Sequence, residues 1–107
     1  MKRLRDWLES QGVHEPHQSI VIGELPAIVA GERPMGIPPR VTAAVGSWLR
    51  SEAERIAMKA MARGPVSWDD EDISDAAPIA AWIVERAAPC RLRSEAATML
   101  GVLDGAR

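Results

Sequence analysis

The chain has no phenylalanine and no tyrosine. Its only aromatic side chains are four tryptophans, Trp7, Trp48, Trp68 and Trp82, so a core must be built from small aliphatic residues around a few large rings. Such a core is thin, which leaves room for a second subunit or another protein to complete it, and a homodimer is one way to do so. A single cysteine, Cys90, excludes an internal disulfide, and no cysteine and histidine spacing fits a zinc site. No run approaches the ~20 apolar residues of a membrane span. The basic start MKRLRDWLESQG carries Asp6 and Glu9 where a signal peptide requires an apolar stretch. A soluble, cytoplasmic protein without a cofactor is expected. Charge excess is missing too: 13 Lys and Arg stand against 15 Asp and Glu, a formal net charge of −2, which gives no general attraction to nucleic acid.

What is present is length for one modest core, 107 residues with an apolar share of 47%, and hence a single helical domain over 1–107. The organising stretch is IPPRVTAAVGSWLRSEAERIAMKAMARGP. Proline is tolerated in the first turn of a helix and Gly-Pro stops one, which predicts a long central helix from about Pro39 to Arg63. Val41, Ala44, Val45, Trp48, Leu49, Ala53, Ile56, Ala57, Ala60 and Met61 recur at three- and four-residue steps and form a stripe that the rest of the chain must cover. Within it, Gly46 either is simply tolerated or allows a neighbour to approach closely. On the polar side, Arg50 with Glu54 and Glu52 with Arg55 are helix-neighbour pairs.

The spacing of Leu4, Trp7 and Leu8 predicts a short helix over residues 2–11 with Gly12 as its stop. Lys2, Arg3 and Arg5 read as its solvated face or as a basic arm for phosphate, diluted by Asp6 and Glu9. His14 and His17 flank Glu15, but Pro16 and the lack of further ligands argue for a polar loop rather than a metal or catalytic site. Over residues 19–29, Ser19–Ile22 and Ala27–Val29 are rich in β-branched residues around Gly23, Glu24 and Pro26. A short β-hairpin competes there with a pair of helical turns.

The segment from Leu25 to Leu49, with Ala30-Gly31-Glu32-Arg33-Pro34 and Pro38-Pro39-Arg40-Val41, resembles the exit of the recognition helix and the following helix of small phage-repressor helix-turn-helix proteins. That resemblance implies a dimeric DNA-binding regulator using Arg33 and Arg40. The chain departs from the family between Gly23 and Gly31, too short for a turn plus a full recognition helix, and in Ile20, Val21 and Ile22, where the family has a polar surface.

Charge is unevenly spread. Residues 1–64 carry nine Lys and Arg against seven Asp and Glu, and residues 65–107 carry four against eight. The acid is concentrated in Asp69, Asp70, Glu71, Asp72 and Asp75, beside Trp68. The run lacks the alternation and the glycine of a calcium loop. Ser74 or Asp75 can cap the next helix. Alternatively Trp68, Asp69, Asp70, Glu71, Asp72 and Asp75 form a contact surface for a basic protein, with Trp68 as anchor, and could imitate nucleic-acid phosphate. A third helix over about Asp75–Ala88 takes Pro78 in its first turn, and a fourth over about Cys90–Leu103 follows directly. Cys90, with Arg91 and Arg93 nearby, has no general base near it in sequence and reads as a small core residue or a reactive thiol.

The expectation is a mainly α domain of about four helices around one long central helix. No nucleophile with a base, phosphate loop or metal set points to an enzyme. The leading reading is a small non-catalytic interaction module, an adaptor, regulator or inhibitor of the kind found among bacterial and phage accessory proteins.

Overall fold

A computed structural model describes residues 2–66, 68, 73–87 and 90–105. Six α-helices are present among them: α1 Lys2–Ser10, α2 His17–Gly23, α3 Leu25–Val29, α4 Pro39–Arg63, α5 Ile73–Arg86 and α6 Arg91–Gly105. The molecule measures 37 × 26 × 24 Å. Its long axis matches α4, since 25 residues at ~1.5 Å each extend about 37 Å.

The central helix has the bounds its punctuation implies. Pro39 opens it, and Gly64 ends it at φ 98°, a left-handed conformation that side chains disfavour, while its amide still donates to the Ala60 carbonyl at 2.8 Å. Only a narrow stripe of α4 is fully inside, namely Val45, Trp48, Leu49, Ile56 and Ala60. The packing hub is therefore not α4, as its length suggested, but α5, which packs against α1, α3, α4 and α6. Its small Ala76 and Ala80 alternate with Ile79 and Ile83, all buried, so neighbours can approach closely. Helix α5 begins at Ile73, and Pro78 is thus its sixth residue rather than part of the first turn. The proline removes the amide that would bond the Ser74 carbonyl, a cost that burial of the α5 face has to offset.

Of the two alternatives for residues 19–29, the structure has the pair of helical turns and not the β-hairpin. Residues Ser19 to Val29 lie in α2 and α3, and the described residues contain no strand. The buried side chains here are Gln18, Val21, Leu25, Ile28 and Val29. Those three- and four-residue steps continue one helical face across the Glu24 joint, and burial of that face outweighs the β preference of the isoleucines and valines. Pro26 fits because it falls in the first turn of α3.

Helix α1 is held by Leu4 and Leu8, both fully buried, and by Trp7, whose ring centroid lies 6.2 Å from that of Trp48. Gln18 ties α2 to α1, donating to Glu9 at 2.5 Å and to the Val13 carbonyl at 2.9 Å. No helix among the described residues is long and apolar enough to cross a membrane.

Candidate functional site

Of the acidic candidates, Asp69, Asp70, Glu71 and Asp72 lie outside the described residues. Trp68 is half-buried and packs against the hydrophobic core, with its indole Nε1–H closed to solvent and without an acceptor among the described residues. Asp75 is fully buried. Its carboxylate accepts the backbone amides of Arg3 at 3.2 Å and Leu4 at 3.3 Å, so it caps the N-terminus of α1 from within the first turn of α5. One carboxylate thus sits at the positive ends of two helices. Asp75 is consequently a structural residue, removed from any contact surface, and the helix it caps is not the one that follows it in sequence.

The arginines divide into two groups. Arg5 pairs with Glu15 at 3.0 Å, Arg50 with Glu54 at 3.2 Å, Arg55 with Glu52 at 2.8 Å, and Arg3 also with Glu52. Three more close helix C-termini, where carbonyls lack partners. Arg86 donates to the Val29 carbonyl of α3 at 2.8 Å, Arg91 to Ala60 and Gly64 at the end of α4 at 3.4 and 3.2 Å, and Arg93 to Val84 in the last turn of α5 at 3.1 Å. Arg91 and Arg93, next to Cys90 in sequence, donate to these carbonyls, and Cys90 is exposed, not the small core residue that one of its two readings made it. Arg63 lies in the last turn of α4, where a cation is favourable.

Arg33 and Arg40 belong to neither pattern. Both are exposed and have no ion pair or side-chain hydrogen bond among the described residues. They line one groove of about 500 Å³ between the α3–α4 loop, the first turns of α4 and the end of α5. Glu32, Gly46, Trp82 and Arg86 share its walls. The Arg86 guanidinium carbon stands 3.4 Å from the Trp82 ring centroid, which fixes both side chains. A Cβ added to Gly46 would lie 3.8 Å from the Trp82 ring, so Gly46 is where that indole rests on α4. Sequence reasoning singled out Arg33 and Arg40 and missed Arg86 and Trp82, which reach the groove only through the packing of α5 on α4.

Trp82 and Arg86 also line a neighbouring groove of about 470 Å³, together with Ala53, Ala57, Ile83, Ala87 and Leu92 and the charged Arg50 and Glu54. A cavity of about 270 Å³ is lined by His14 and His17 together with Val13, Ile20, Val21, Ile37 and Val41, and Arg40 lines it as well. The Nδ1 atom of His14 is 2.7 Å from Glu9. No group of three metal-ligating side chains occurs among the described residues.

The Glu15 carboxyl is held below its ordinary range, chiefly by the hydrogen bond from the Ser19 hydroxyl and next by Arg5. This pairing joins α1, the following loop and α2 at the surface.

The chain matches no family model, no curated protein and no solved structure.

Proposed function

We propose that the protein is a small non-catalytic interaction module, an adaptor, regulator or inhibitor that docks on another protein. The observation that carries this reading is the pair Met58 and Met61, 71% and 87% exposed and one turn apart near the end of α4. Long unbranched apolar side chains on a surface make an adaptable contact. Shortly after them the chain runs through Trp68 into Asp69, Asp70, Glu71 and Asp72, the charge that would select a basic partner. A pull-down from a lysate of the source organism or its host, at low and high salt and with or without nuclease, tests this. One stoichiometric protein should survive nuclease and be lost when Met58→Ala/Met61→Ala or D69N/D70N/E71Q/D72N replaces the native chain. Recovery of nucleic acid alone, removed by nuclease, would contradict it.

The second reading is a dimeric DNA-binding regulator, favoured by the meeting of Arg33 and Arg40 in one groove. Its helix-turn-helix form has little to stand on: α3 is Leu-Pro-Ala-Ile-Val, with Leu25, Ile28 and Val29 buried, and offers no polar recognition surface. Sedimentation equilibrium, which reads the mass directly, tests the homodimer that this reading requires.

A further inference from the structure

We infer that the groove bearing Arg33, Arg40 and Arg86 is an anion site that takes a phosphate group. This inference does not depend on the docking reading, which concerns other residues; it shares Arg33 and Arg40 with the DNA-binding reading, from which the duplex titration below separates it.

Arg40 is the second residue of α4, where the helix end is already positive, and Arg33 faces the same groove. The first turn of α4 has no acidic residue, and Pro38 provides no side-chain cap. Glu32 also lines the groove, so its walls carry three guanidinium groups and one carboxylate. The lining is therefore net positive. Every other arginine described is paired with a carboxylate, bonded to a carbonyl, or set at a helix C-terminus. A bound anion would give Arg33 and Arg40 the partner that these other arginines have.

The geometry adds to this. The three arginines that line the groove come from three segments, the α3–α4 loop, α4 and α5, so the positive charge is drawn from more than one wall. Arg86 is already fixed by the Val29 carbonyl and by Trp82, which limits the ordering needed on binding. Planar guanidinium forks match phosphate oxygens, and Arg33 and Arg40 have all their donors available. The groove volume of about 500 Å³ accommodates a small phosphate ester or a stretch of phosphodiester backbone. Those two sources share the chemistry that the site recognises.

Thermal unfolding in sodium pyrophosphate, against sodium chloride of equal ionic strength, reads binding as a rise in Tm, because a ligand of the native state stabilises it. A rise specific to pyrophosphate is expected, with affinity falling about tenfold or more in Arg33→Gln/Arg40→Gln. Arg33→Lys/Arg40→Lys should keep part of it, and Arg63→Gln all of it. A parallel titration with a short DNA duplex separates the sources. Salt-sensitive duplex binding lost in the Gln variant assigns the site to a nucleic-acid backbone, and a pyrophosphate response alone assigns it to a small phosphate ester. Equal Tm in pyrophosphate and chloride with no duplex binding, or a response unchanged in the Gln variant, would overturn the inference.

Discussion

The N-termini of α1 and α4 face the same physical problem and meet it in opposite ways. Helix α1 is short, with nine residues, and its first amides are met by a buried carboxylate more than seventy residues away in the chain. Helix α4 has 25 residues, opens on Pro38 and Pro39, has no side-chain cap, and carries a cation in its first turn. A short helix is marginal alone and needs its cap and its docked face. A long helix with a buried stripe tolerates an unfavourable end, which leaves that end open for binding. The buried acid is therefore part of the fold, and the exposed arginines are free for a ligand.

Removing the cap should have the largest effect. Asp75→Ala leaves the Arg3 and Leu4 amides without their acceptor in a buried place, and a loss of about 1.5–3 kcal/mol is expected from chemical denaturation. Asp75→Asn keeps an acceptor oxygen and should lose less. A full loss in Asn equal to that in Ala would show that the charge at the two helix ends matters more than the hydrogen bonds.

Strengthening α4 from within should have the next largest effect, in the opposite direction. Gly46→Ala places a methyl group 3.8 Å from the Trp82 ring, an ordinary contact, and a gain of about 0.5–1 kcal/mol is expected. A loss of stability would mean that Trp82 cannot accept the methyl group. Giving α4 the kind of charge that α1 has should help less. Arg40→Glu puts an acid in the first turn and should raise stability by about 0.3–1 kcal/mol at low salt while abolishing the pyrophosphate response. Unchanged stability with the response intact would remove Arg40 from the site.

The smallest effect concerns the surface link beside α1. The Glu15 carboxyl, lowered first by Ser19 and then by Arg5, favours the folded state above its unfolded pKa, and this contribution disappears as pH falls through the folded pKa. Ser19→Ala should move that titration, followed by NMR at the side-chain carboxyl, back toward the ordinary range. An unmoved titration would assign the shift to Arg5 instead.

Local punctuation made much of this legible. Pro39 and Gly64 bound α4 in the sequence as they do in the structure, and Leu4, Trp7, Leu8 and Gly12 do the same for α1. The sequence leaves the segment from Ser19 to Val29 between strand and helix, because apolar runs as short as Ile20–Ile22 and Ala27–Val29 satisfy both periods and only the shared face from Gln18 to Val29 decides between them. Nor could sequence spacing reveal that α5, rather than the longer α4, gathers the other helices. Asp75 read as a surface acid or as a cap of its own helix because its partners, Arg3 and Leu4, are brought to it only by the docking of α1 on α5. Arg33 and Arg40 could be singled out from the basic front of the chain, whereas Arg86 joins them only through tertiary packing.

The contrast between a structural acid and available arginines is tested most directly by urea unfolding of Asp75→Ala beside Arg33→Gln/Arg40→Gln. The expected result is a clearly lowered midpoint for Asp75→Ala and a midpoint for the arginine variant within about 0.5 kcal/mol of the native chain or slightly above it. A native-like midpoint for Asp75→Ala together with a large loss in the arginine variant would contradict the assignment of both groups.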